Sequence, residues 1–162
     1  MAKQYKVAGY VKLAQKWERH AEQAIAYHRE YFEEKFLDTP DMELLGVYID
    51  ITGRKHIYQR EEMVRLLRDC KAGNINCIAT QTRAYLAANH EELCFLLYYI
   101  SRLSHRIDII TFDDDCYRFN TILDIEDQRE ELLKMADKYV GLLQHEYARW
   151  EQELMRSMGE LD

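Results

Sequence analysis

The sequence predicts an α/β domain: a four-stranded, mainly parallel sheet with helices on both faces, followed by a long C-terminal helix. Three observations carry this. Short apolar runs alternate with helical patterns, which in one domain implies parallel strands joined by right-handed crossovers. One of those runs, Ile75-Asn76-Cys77-Ile78-Ala79-Thr80, has the apolar character of a central strand covered on both faces. Beyond residue 124 the chain runs to residue 157 with no proline and one glycine, Gly141, which reads as a single helix. The expected division is therefore an α/β domain over residues 1–123 and a C-terminal helix over residues 124–162.

In order, Lys6-Val7-Ala8-Gly9-Tyr10-Val11-Lys12-Leu13 reads as a first strand with Val7, Val11 and Leu13 on one face. Residues 16–36 turn helical, with Ala21, Ala24, Ile25, Tyr27, Tyr31 and Phe32 apolar, and Asp38-Thr39-Pro40-Asp41 ends the helix. Trp17 near its start is expected to pack into a core or an interface. Leu44-Leu45-Gly46-Val47-Tyr48-Ile49 is a second strand, followed by a loop over residues 50–58. Residues 59–72 form a helix carried by Met63, Leu66, Leu67 and Cys70, with Gly73 as its C′ residue. After the central strand and a connection over residues 81–87, Asn89 caps the next helix, and Glu92 three residues on completes a capping box. Ile107-Asp108-Ile109-Ile110-Thr111-Phe112 is a fourth strand, Asp113-Asp114-Asp115 a turn, and residues 117–121 a short edge strand. The triple aspartate reads as a solvated turn in preference to a cation site.

Composition narrows the function. A chain of 162 residues, 48% hydrophobic and 31% charged, is one ordinary globular domain. No apolar run approaches the roughly 18–20 residues that span a bilayer, and the N-terminus lacks a signal-peptide core, so no membrane contact and a cytoplasmic location are expected. The net charge of −7 weighs against a surface built for duplex DNA, so DNA binding is doubtful on charge alone. Cys70, Cys77, Cys94 and Cys116 form no C-x-x-C pair and read as buried free thiols, and the histidines are too scattered to assemble a zinc site. No metal and no cofactor is expected.

In an open α/β sheet the loop leaving the carboxyl end of a central strand is where ligands usually bind. Here that loop is Gln81-Thr82-Arg83-Ala84-Tyr85-Leu86-Ala87, and it is poor in chemistry. Tyr10, Thr80, Thr82 and Tyr85 place hydroxyls near strand ends, with His56 the one base in reach by position. Lys12, Lys16 and Arg19, together with Arg54, Lys55 and His56, form a small basic set near the same ends. Lys12, Lys16, Arg54, Lys55 and Arg83 are the candidate phosphate contacts.

Residues 60–75, from Arg60-Glu61-Glu62-Met63 to Asp69-Cys70-Lys71-Ala72-Gly73-Asn74-Ile75, resemble the segment of serine recombinase (resolvase/invertase) catalytic domains that leads into their central strand. The likeness is to the large recombinases of mobile elements. Leu44-Leu45-Gly46-Val47-Tyr48-Ile49-Asp50 is similar to the family's second strand with its terminal acid. Phe112 and Asn120-Thr121 occupy family-like places before the long dimerisation helix. The resemblance covers residues 7–121 and implies DNA strand exchange, in which a serine at the end of the first strand attacks a phosphate and arginines neutralise it. Measured against that pattern, Tyr10 is kept, Lys12 stands in an arginine place and Ala14 stands in the serine place. No serine precedes Ser101. In the central loop Ala84, Tyr85 and Ala88 stand where the family has serine or aspartate and two arginines, so the bidentate phosphate clamp is lost. The implied reading is a degenerate member without catalytic residues, a dimerising interaction or regulatory module; the alternative is a recombinase subunit with residual DNA affinity.

The C-terminal helix carries Leu132, Ala136, Tyr139, Leu143, Tyr147, Trp150, Leu154 and Met158 at steps of four, three and four, an eleven-residue pattern that keeps a nearly straight stripe. A single helix there is about 50 Å long, more than the ~30 Å width of a small domain. The expectation is that it projects and buries Leu132, Ala136, Tyr139, Leu143, Tyr147, Trp150 and Leu154 against a second copy of the chain as a homodimer, or in a mixed dimer with an active serine recombinase. Residues 126–162 hold ten acidic and five basic residues, a poor surface for phosphates. A following DNA-reading domain is expected to be absent, the chain stopping at Asp162.

Overall fold

The computed structural model describes residues 4–112 and 126–160, without the side chains of residues 126–129 and 131–132. The expected edge strand at residues 117–121, the triple aspartate, Cys116, Asn120-Thr121 and the side chain of Leu132 lie outside the described residues.

Four strands form one parallel sheet: β1 (Tyr5–Leu13), β2 (Met42–Ile51), β3 (Cys77–Thr80) and β4 (Asp108–Thr111), in the spatial order β2-β1-β3-β4. β1 sits between β2 and β3, so both its edges are paired, and its side chains enter a core on each face of the sheet. Val7 through Val11 are all buried. Alternation along β1 sends Ala8 and Tyr10 to one core and Val7 and Val11 to the other. The helices are α1 (Ala21–Lys35), α2 (Glu61–Lys71), the single turn α3 (Arg83–Leu86), α4 (His90–Ser101), α5 (Glu126–Leu142) and α6 (Gln144–Ser157).

Against one face, α2 and α4 bury Met63, Leu66, Leu67, Cys70, Leu93, Phe95, Leu96 and Leu97, with Ile78 and Ile109 of the sheet. Helix α1 covers the other through Phe32 and Phe36. Phe32 lies so close to Gly9 that an added Cβ there would be 2.9 Å from its ring, which is why a glycine interrupts the central strand. Gly73 closes α2 in the left-handed region at φ 83°, as its C′ position requires.

Three expectations are corrected. The first helix does not run unbroken over 16–36: Gln15–His20 is a 3-10 segment with no buried residue, and α1 starts after it. Trp17 stands on that segment 44% exposed, packed in no core. The C-terminal segment is not one long helix. It breaks at Leu143 (φ −121°, ψ 37°) into α5 and α6, two residues after Gly141.

The break turns the apolar stripe back on its own domain. Ala136, Tyr147, Trp150, Leu154 and Met158 are buried, and Tyr139 and Leu143 are partly buried against the same core. The rings of Tyr147 and Trp150 pack edge-on to Phe95 of α4, both with centroids 5.7 Å away. The Tyr147 hydroxyl donates to Glu91 O (2.8 Å), and Ser157 Oγ donates to Tyr58 O (2.7 Å). These side chains are therefore not a free face for a partner helix, as the expected dimer interface required. The apolar area is satisfied within the chain, because a bend at one residue lets the helix follow the domain's curvature. No helix among the described residues is long and apolar enough to cross a membrane.

Candidate functional site at the strand ends

The carboxyl ends of β1, β2 and β3 meet the entry to α2 at a buried polar network centred on Tyr10. The Tyr10 hydroxyl donates to Asp50 Oδ2 at 2.7 Å and accepts from Arg60 Nη1 at 2.9 Å. Asp50, the last buried residue of β2, also accepts from the backbone N–H groups of Glu62 (2.9 Å) and Met63 (2.9 Å). It thereby caps the positive end of α2, where free amides favour a carboxylate. Arg60 is 1% exposed and reaches across to α3, donating to Tyr85 O (2.8 Å) and to Leu86 O. One guanidinium thus joins β1 to the turn that follows β3. Its Nε has no hydrogen-bond partner among the described residues. Thr80 at the end of β3 donates from Oγ1 to Tyr10 O at 2.8 Å and is also buried.

This packing decides which hydroxyls are available. Burial raises the Tyr10 phenol far above its ordinary value of 10.0; the Arg60 charge opposes that and the Asp50 charge adds to it. With its one proton engaged by Asp50, Tyr10 is held as a neutral structural group. Thr82 Oγ1 accepts from Ala84 N at 3.4 Å as the cap of α3. His56 does not approach these hydroxyls. Its Nδ1 lies 3.1 Å from Glu92 Oε1 and its ring stacks on Tyr58 at 5.2 Å. Glu92 was expected to complete a capping box. Asn89 Oδ1 does accept from Glu92 N (2.9 Å), but the buried Glu92 carboxylate turns to His56 and to Ile57 N (3.2 Å).

Beside the network opens a cleft of about 570 Å³ between the 3-10 segment after β1, the end of β2 and the start of α2. Glu18, Asp50, Glu61 and Glu62 line it against Arg54 and Arg60. Carboxylates outnumber guanidiniums, and Arg60 is already committed to Tyr10 and two carbonyls. Ala14 is the exposed residue that joins β1 to the 3-10 segment, one position before Gln15 of the cleft lining, and its carbonyl accepts from Trp17 N at 3.0 Å. Of the basic candidates, Lys12 is drawn close to the network and Arg54 lines the cleft beside Asp50 and Arg60. The Lys12 pKa is lowered, first by burial and then by the Arg60 and Lys55 charges, with Asp50 opposing. Lys16 is exposed on the 3-10 segment, and Arg83 heads α3 outside the cleft lining. Ala84 and Ala88 are exposed, and Tyr85 is partly buried against both cores. Among the described residues no group of three or more His, Cys, Asp or Glu side chains could hold a metal ion.

Of the two charged residues that organise the site, one was legible in the sequence. Asp50 was visible as an acid at a strand end. Nothing in the pattern marked Arg60 as the largest fully buried side chain.

No family model matches the sequence, and no curated protein matches it. Solved structures do. The N-terminal catalytic domain of TP901-1 integrase superimposes with a TM-score of 0.59 at 14% identity, over 86% of this chain and 97% of that domain. A resolvase family site-specific recombinase from Streptococcus pneumoniae gives 0.55 at 15% identity, over 94% of this chain and 99% of that one. The C-terminal catalytic domain of ISC1926 TnpA, an IS607-like serine recombinase, gives 0.50 at 14%, over 96% and 99%. At these identities the likeness establishes the fold.

Proposed function

We propose that this chain, which has the fold of serine recombinase catalytic domains, is a recombinase-like protein without recombinase chemistry, acting through protein contacts as an interaction or regulatory module. The observation that carries this is the mouth of the cleft. Ala14 offers only a methyl group one residue before the cleft lining, the nearby Tyr10 and Thr80 hydroxyls are buried and occupied, and the Thr52 hydroxyl of the lining accepts from Arg54 N at 3.1 Å. A phosphoryl-transfer site needs a nucleophile and preorganised cations at the developing charge, each worth several kcal/mol of barrier. The loop places where the resemblance expects arginines hold Tyr85 and Ala88. The cleft's excess of carboxylates would repel a phosphate rather than stabilise one. Incubation with supercoiled plasmid tests this: the reading expects no nicked or relaxed product at any protein concentration, and protein-dependent relaxation would overturn it.

A second reading, a DNA-bound accessory subunit, is favoured by one observation. Lys12 and Lys55 are close enough to share a positive field with Arg60. Fluorescence anisotropy of a labelled random duplex at low and moderate salt separates the two readings. Binding that weakens steeply with salt supports phosphate contacts; no binding at low salt leaves the interaction module.

A further inference from the structure

Lysine and arginine at helix C-termini ordinarily answer the negative end of the helix dipole. Lys71, the last residue of α2, and Arg102, directly after α4, do so, and they also line one pocket of about 190 Å³ between α4 and α6. We infer that this pocket docks an acidic segment of a partner protein that carries one leucine-sized apolar residue. The inference names the partner's chemistry for the interaction-module reading and rests on that reading for its use, while the geometry of the pocket stands by itself.

Three observations carry it. First, Phe95, Tyr98, Tyr99 and Met155 wall the pocket, so its interior favours an apolar group. Its volume lies below the roughly 300–1,000 Å³ of small-molecule sites and suits a single side chain. Second, Arg102 is held in place without an acid. Its guanidinium lies 5.0 Å from the Tyr98 ring centre and Nη1 donates to the Tyr98 hydroxyl, while no carboxylate pairs with it among the described residues. A guanidinium fixed in this way is preorganised for a carboxylate. Third, Lys71 already holds a carboxylate. Both oxygens of Glu160, three residues beyond α6, accept from Lys71 Nζ, at 2.7 and 2.8 Å. The chain's own acid thus marks where a partner's acid would sit. The Lys71–Glu160 pair is largely exposed, so it contributes little and is readily exchanged.

Glu151 of α6 is the acid among the pocket's lining residues. Its repulsion steers an incoming carboxylate to the Lys71 and Arg102 rim, on the side of α2 and α4. The arrangement therefore predicts opposite effects from three neutral substitutions. Arg102→Gln removes an attraction, Glu151→Gln removes a repulsion, and Glu160→Gln frees Lys71.

The test is fluorescence anisotropy of three fluorescein-labelled peptides, Glu-Glu-Leu-Glu-Glu, Glu-Glu-Ser-Glu-Glu and Lys-Lys-Leu-Lys-Lys, titrated with the full chain at low salt. The leucine-containing acidic peptide is expected to bind, although the chain's net charge of −7 opposes it, and the other two to bind more weakly. Arg102→Gln should weaken that binding at least about threefold, and Glu151→Gln and Glu160→Gln should each tighten it by a similar factor. A misfolded variant does not bind more tightly, so the two tightening variants separate loss of contact from loss of fold. No binding of the acidic leucine peptide, equal binding of the serine peptide, stronger binding of the lysine peptide, or affinity unmoved by all three substitutions would overturn the inference. The plasmid assay reads recombinase chemistry separately, so the pocket and the module reading fail independently.

Discussion

Replacing Arg60 probes the whole strand-end frame. Arg60→Met keeps much of the apolar stem but removes a buried guanidinium that donates to Tyr10 Oη, Tyr85 O and Leu86 O. The Tyr10 and Leu86 acceptors are buried and the Tyr85 carbonyl partly so, and a buried acceptor left unpaired costs about 1–3 kcal/mol. Asp50, otherwise held by two α2 amides, also loses the positive charge nearest its tyrosine partner. Together these place the loss at about 3–5 kcal/mol, the range for breaking one side of a buried charged network. For a chain of this size that is a fall in Tm of roughly 10 °C, at about 2–4 °C per kcal/mol. Urea unfolding followed by far-UV circular dichroism would show a lower midpoint at unchanged slope. Arg60→Lys restores the charge but not the fork, and should recover less than half the loss. A double-mutant cycle with Tyr10→Phe should give a coupling of at least about 0.5 kcal/mol. An Arg60→Met loss below about 1 kcal/mol, or additivity with Tyr10→Phe, would refute the claim that this guanidinium ties the strand ends together.

Two further outcomes concern pH. Cys70 and Cys94 are pushed up to about 12 and about 11, mainly by burial, and Cys77 is raised further still. Raised thiol pKa values give stability that is complete below the unfolded value near 9.0 and lost as pH climbs towards the folded values. Urea midpoints should therefore fall between pH 9 and 12, and Cys70→Ala should flatten part of that slope; a slope unchanged in the variant would contradict it. His28 is buried on α1 with Nδ1 unpartnered among the described residues, and burial lowers its pKa from 6.5. A depressed histidine gives stability that is present above 6.5 and lost as pH falls below it. His28→Gln should remove that part of the acid loss, and an NMR titration showing His28 protonating above 6.5 would refute the assignment.

How far the sequence could be read follows from what each signal depends on. The strands and the C′ glycine at Gly73 were legible because short apolar runs and a left-handed backbone position are local signals. Asn89 capping α4 was legible for the same reason. The break at Leu143 was not. It depends on whether the stripe finds a seat on its own domain, a tertiary question that an eleven-residue repeat answers equally well with a straight helix. Gly141 was the one local hint. Trp17 stays out of the core because it stands on a 3-10 segment, whose side chains turn at a different pitch from the α-helix assumed. At the site, Tyr10 and the substituted Ala14, Tyr85 and Ala88 could be placed by resemblance. Arg60 could not, since its burial arises only when the loop after β2 and the turn α3 close over it.

The central claim is that the strand-end site cannot form a covalent bond to DNA. The direct measurement is a denaturing quench of the protein with supercoiled plasmid, followed by protease digestion and mass spectrometry for a nucleotide-bearing peptide. The account predicts that no peptide from residues 4–20 or 77–90 carries a nucleotide, even after long incubation. A phosphotyrosine, phosphothreonine or phosphoserine link to DNA at any position of the chain would contradict it.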